Sequence, residues 1–124
     1  MARYAGMPME IPKPAEADKA RFRALVPDDS RVEVKPMFGN LGAFVNGNMF
    51  MGLFGADIGV KLPDGQQTML RAEGGRDFGP AERAMGGYVS LPADCTNAKA
   101  RRWAAAALDH VGALPPKKAK PKKA

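Results

Sequence analysis

His110 is the only histidine of this 124-residue chain, and Cys95 is the only cysteine. One histidine cannot supply a multi-histidine metal site. His110 follows Asp109 near the end of a helical segment, where a cation interacts favourably with the helix dipole, so a structural role accounts for it. Cys95 sits in a loop ahead of that segment. A helix N-terminus can lower a thiol pKa, but no Cys-x-x-Cys and no partner histidine accompany it, so an incidental thiol is the favoured reading. Asp57, Asp64, Glu73 and Asp77 are acids that only the fold could bring together. No paired carboxylates, triad or metal cluster is legible, and the expectation is no catalytic residue, no metal and no cofactor.

The glycines Gly39, Gly42, Gly47, Gly52, Gly55 and Gly59 form neither G-x-x-x-x-G-K-[ST] nor G-x-G-x-x-G ahead of a helix. Gly39-Asn40-Leu41-Gly42 matches a bare G-x-x-G, but it lies between strands and not between helices. Turns and bulges are the better reading. Phe44, Phe50, Phe54 and Tyr88 could stack nucleobases on a sheet. Leu41 to Gly59 contains no lysine or arginine, however, so packing beneath helices is favoured over base stacking. Among the eight methionines, Met49 and Met51 alternate with Phe50, which predicts the two methionines on one face and the phenylalanine on the other. Both faces of that strand are then apolar. Either helices cover both, or Met49 and Met51 mark an interface, a homodimer among the candidates.

The formal charge is +6, and five lysines with no acid fall in Pro115–Ala124, leaving +1 for Met1–Leu114. The pI near 9.7 belongs to the tail and not to a basic groove. Lys117, Lys118, Lys120, Lys122 and Lys123 should attract nucleic acid weakly, without base specificity and with strong salt dependence. A solubilising terminus fits them equally well.

These residues need elements to position them. Pro14 suits the start of a helix over Ala15 to Val26, with Phe22, Leu25 and Val26 on one side and acids early. Val32-Glu33-Val34-Lys35 alternates as a half-buried strand does. Leu41 to Val45 and Asn48 to Phe54 are apolar runs joined by Asn46-Gly47, the strongest short hairpin signal. Ile58 to Leu62 follows the Gly55-Ala56-Asp57 turn as the next strand. Asp64 can cap a short helix with Met69, Leu70 and Ala72 on its apolar side, stopped by Gly74. Gly74 to Pro80 reads as loop, with Phe78 as a plug, and Met85 to Leu91 as a strand. Thr96 caps a helix from Asn97 to Val111, with Trp103, Ala107, Val111 and Leu114 as its stripe, Ala104 and Leu108 beside it, and Gly112 as its C-cap.

The expected fold is α+β: an antiparallel meander sheet with N-terminal and C-terminal helices packed on it, plus a disordered basic tail. Residues 1–14 form an irregular arm, 15–114 the domain and 115–124 the tail. This length suits one domain, which buries enough surface to need neither disulfide nor metal. A lone cysteine, no apolar run long enough for a bilayer and a proline-interrupted N-terminus give the cytoplasm as the expected location.

Lys35-Pro36-Met37-Phe38-Gly39 followed by Gly42-Ala43-Phe44-Val45-Asn46-Gly47-Asn48-Met49-Phe50 resembles the opening hairpin of the N-terminal domain of the TfoX/Sxy competence regulators. Val60-Lys61-Leu62, Phe78-Gly79-Pro80, Met85, Gly87-Tyr88-Val89, Leu91-Pro92 and the Trp103 helix are similar to its later segments, in order, over Arg31 to Leu114. The resemblance implies the fold and hints at transcription regulation in competence. It implies no established activity for a stand-alone domain. Full-length regulators of this type carry a second, C-terminal domain implicated in regulation, where this sequence has its lysine–proline stretch.

The reading that follows is a non-enzymatic regulatory or accessory module. It acts through protein contacts from the sheet face, with weak nonspecific nucleic-acid affinity from the tail and no membrane partner. The alternative is a small-molecule or peptide-binding domain with an apolar pocket beside the phenylalanine-rich hairpin.

Overall fold

Pro14 and Ala15 lead into α1 (Glu16–Leu25), where the Ala15 N–H donates to Asp18 Oδ2 at 2.9 Å. Carboxylates at Glu16 and Asp18 meet the positive end of the helix dipole, and Phe22 and Leu25 form its buried side. The computed structural model describes residues 13–37, 39–80 and 84–115. The expected arm falls outside them except for Lys13 and Pro14, and the expected tail except for Pro115.

Four strands follow in order: β1 (Val32–Met37), β2 (Asn40–Val45), β3 (Asn48–Phe54) and β4 (Asp57–Lys61). The β2–β3 turn is Asn46-Gly47 with φ of 54° and 82°, the positive-φ pair that a type I′ hairpin requires. After α2 (Asp64–Ala72), the short strand β5 (Arg76–Asp77) and β6 (Tyr88–Ser90) complete an antiparallel sheet in the order β1-β2-β3-β4-β6-β5. Pro63, and not Asp64, holds the N-cap of α2, and Asp64 is the first helical residue. β5 falls inside the segment expected to be loop. Its two residues pair with Val89 and Ser90, and Ser90 Oγ donates to the Asp77 carbonyl at 3.1 Å.

The closing helix α3 (Asn97–Gly112) is capped as expected: Thr96 Oγ1 accepts from the Lys99 N–H at 3.2 Å. Its buried stripe is Ala100, Ala104, Ala107, Leu108 and Val111. Trp103 is only partly buried and Leu114 is 37% exposed, so the expected stripe is rotated toward the alanines. Small side chains let α3 lie close across β2, β3 and β4. Gly112 remains helical and Ala113 is the C-cap.

The helix-side core joins Phe22 and Leu25 of α1, Leu70 of α2 and the α3 alanines to Ala43, Val45, Met51, Ile58, Val60 and Val89 of the sheet. The fold is therefore α+β, an antiparallel sheet with helices at both ends of the chain.

Candidate functional site

A change of register in the β2–β3 hairpin decides what the other face of the sheet presents. Ala43 pairs with Met51 while Phe44 pairs with Met49, so Phe50 is an extra residue in β3, a β-bulge. The expected alternation fails at this point. Phe50 and Met51 are both fully buried in the helix-side core. Met49 turns to the opposite, outer face, where its sulfur lies beside Gly42 and Gly52. Met49 and Met51 therefore do not share a face.

Gly42, Gly52, Gly59 and Ser90 stand opposite one another across four strands. This row leaves the middle of the outer face without bulky side chains of its own. Phe78, from the segment after β5, lies across Gly59 and reaches Gly52. Phe78 is only 3% exposed, so the expectation of a plug holds. Its ring meets Phe54 edge-on at 6.2 Å and lies 6.0 Å from Tyr88. Of the four sheet aromatics expected beneath helices, Phe50 is there. Phe54 and Tyr88 instead pack around Phe78 on the outer face, because β4 and β6 place Tyr88 on the glycine side.

The Tyr88 hydroxyl donates to the Met49 carbonyl at 2.7 Å, tying β6 to the bulged strand. Burial pushes the Tyr88 phenol up to about 12. Lys61 Nζ stands 5.5 Å from the Tyr88 ring centroid, and Lys35 Nζ stands 5.2 Å from that of Phe44.

Beside Phe78 the outer face opens into an apolar pocket of about 300 Å³. Met37, Met49, Phe54, Phe78 and Met85 line it together with Leu53. Asn40 at its edge is 5% exposed, and its Oδ1 accepts from the Gly55 N–H at 2.9 Å, which anchors the strand ends around the pocket. Met37, Phe78 and Met85 were not singled out as site residues from the sequence. The available signal was the register of the three strand glycines, which marks where a bulky ring must come from elsewhere. Phe38, part of the motif that carries the family resemblance, lies outside the described residues, as do the tail lysines Lys117, Lys118, Lys120, Lys122 and Lys123.

A second cleft of about 360 Å³ lies between α2 and α3, lined by Gln66, Met69, Glu73, Lys99, Arg102 and Trp103. Gln66 Oε1 is buried there without a hydrogen-bond partner among the described residues, while the Nε2 of the neighbouring Gln67 donates to the Leu62 carbonyl at 2.8 Å.

The four scattered acids do not converge. Asp57 pairs with Arg76 at 3.5 Å and Asp77 with Arg71 at 3.0 Å, both on the surface. Asp64 and Glu73 are exposed on and just after α2. No group of three or more histidine, cysteine, aspartate or glutamate side chains among the described residues could share a metal ion. Burial raises the Cys95 pKa, outweighing the lowering effect of Arg21 and Lys99. No helix among the described residues is long and apolar enough to cross a membrane.

The family model for the TfoX N-terminal domain matches residues 13–111. That span runs from the approach to α1 to the last turn of α3 and takes in the whole sheet. A search of curated proteins finds no match. With most of its length matched, this chain belongs to the TfoX N-terminal domain family.

Proposed function

We propose that this domain is a non-enzymatic regulatory or accessory module that receives an apolar segment of a partner protein on the outer face of its sheet. The observation that carries this reading is the pocket of about 300 Å³ whose rim is built from Met37, Met49 and Met85 around Phe54 and Phe78. Methionine suits a surface that must adapt to different apolar side chains, because its thioether chain is flexible and polarizable. The family's association with competence regulators supports a role in regulation. In the same reading the lysine tail adds weak, nonspecific affinity for nucleic acid.

A second reading, a small-molecule site, is favoured by the concavity of the same pocket. Its volume lies at the lower end of the range for small ligands.

The test uses full-length protein with ¹³C-methyl methionine labels, screened against a random peptide library and a library of neutral aromatic fragments. The expected result is peptides that shift the Met37, Met49 and Met85 methyls, leave Met51 unmoved, and lose binding to Met49→Glu. Fragments alone shifting those methyls would support the small-molecule reading instead. Peptides that perturb only other methionines would overturn both.

A further inference from the structure

We propose that β1 is a dimer edge that pairs antiparallel with β1 of a second copy of this chain, centred on Val34. Among the described residues β1 is the end strand of the sheet and has β2 as its only neighbour, so no described strand pairs with the backbone groups on its other side. Which groups face outward follows from two residues. Pro36 has no N–H to give to β2, and a proline in a sheet sits where the ladder asks for none. Val32, four residues earlier and of the same parity, sends its N–H to the Asp29 carbonyl at 3.0 Å and not to β2. Val34 lies between them, so its N–H and C=O point away from β2 as well.

Only one register matches this edge to itself. With Val34 of one copy opposite Val34 of the other, the two residues exchange two hydrogen bonds. Glu33 of each copy then faces Lys35 of the other, on the outer face. A two-fold axis through Val34 makes both contacts twice, as a closed dimer requires. Moving the centre to Glu33 or to Lys35 sets like charges opposite each other, which destabilises a strand pair. Within one chain Lys35 and Glu33 are 3.7 Å apart, and both side chains are at least half exposed, so they are free to turn toward a neighbouring strand.

The apolar content of the edge points the same way. Val34 is 36% exposed, one of three large hydrophobics left exposed among the described residues, and the only one on a strand. Pairing covers it with its own copy. The ladder is short, since Pro36 and the engaged Val32 N–H end it on both sides. That limits growth into longer aggregates while leaving one specific contact. The opposite edge, β5, has two residues, and both side chains hold ion pairs within the chain. In this dimer the outer faces of the two copies, with their methionine-lined pockets, lie on the same side.

The experiment is sedimentation equilibrium of the full chain over a concentration series, with Glu33→Lys, Lys35→Glu and an equimolar mixture of the two. The expected result is a dimer for the unaltered chain and a roughly tenfold weaker one for each single variant. The mixture should return to the original affinity, because the two variants complement each other's charges. Both positions are exposed, and equal thermal unfolding of the variants checks that the fold is kept. A chain that is monomeric throughout, a dimer indifferent to both substitutions, or a mixture no tighter than its parts would overturn the proposal.

Discussion

The ring of Phe78 fills the space that a side chain at Gly59 would need. A Cβ built on Gly59 would collide with three atoms of that ring. Because Phe78 is wedged between Phe54 and Tyr88, it cannot move aside without disturbing both. Gly59→Ala should therefore lower unfolding free energy by about 1–3 kcal/mol, the usual cost of overpacking. Gly65, in the first turn of α2, has open space where its Cβ would lie. Gly65→Ala should be neutral or stabilising by up to about 1 kcal/mol through helix propensity. Urea titrations of the two variants check the contrast, and equal stabilities would mean that the ring yields easily.

The hydroxyl of Tyr88 makes a second, separable contribution. Tyr88→Phe removes the bond to the Met49 carbonyl and should cost about 1–2 kcal/mol. Its pH dependence has a definite sign. Burial raises the folded-state pKa from 10.0 to about 12, so the unfolded chain loses this proton first as pH rises. The contribution is complete below pH 10 and is lost between pH 10 and 12, amounting to about 2–3 kcal/mol across that window. Urea midpoints at pH 9 and pH 11.5 should fall more for the unaltered chain than for Tyr88→Phe. Parallel falls would show that other groups govern the alkaline limb.

Much of this architecture was legible in the residues, and the failures have physical causes. Asn46-Gly47 specified its hairpin because positive φ at both positions is a local demand, and Thr96 specified its cap for the same reason. The bulge at Phe50 was not legible. Strict alternation through Asn48–Phe54 satisfies the sequence equally well, and the extra residue is decided by packing against α3 and the partner strands. β5 escaped notice because a two-residue strand has no period to detect. The outer-face pocket depends on both failures. The bulge sends Met49 outward, and β5 delivers Phe78 across the glycine row. Phe78 was recognisable as a plug, but what it plugs is a property of register, which only the assembled sheet supplies.

Cys95 should be a slow nucleophile. Its thiol is partly buried, and Sγ lies 3.5 Å from the Thr96 carbonyl. Burial raises its pKa above the ordinary thiol value despite Arg21 and Lys99 nearby. Since the thiolate is the reactive form, alkylation by iodoacetamide at neutral pH should run slower than that of free cysteine and accelerate at higher pH. A rate at pH 7 equal to or above that of free cysteine would show a thiol activated by the start of α3.

Duplex-DNA binding separates the tail from the folded body. Five lysines lie beyond Leu114, and the remaining chain carries a net charge of only +1. If the tail supplies the affinity, binding by the full chain should weaken with a log–log salt slope no steeper than about −4.5. A version ending at Leu114 should then show no measurable binding under the same conditions. Retained binding after truncation would place a contact surface on the body. Lys99, Arg101 and Arg102 would be the first residues to substitute, because all three are exposed along α3. Loss with the tail would leave the sheet's outer face as the surface on which to seek specificity, since nonspecific phosphate contacts carry no sequence information of their own.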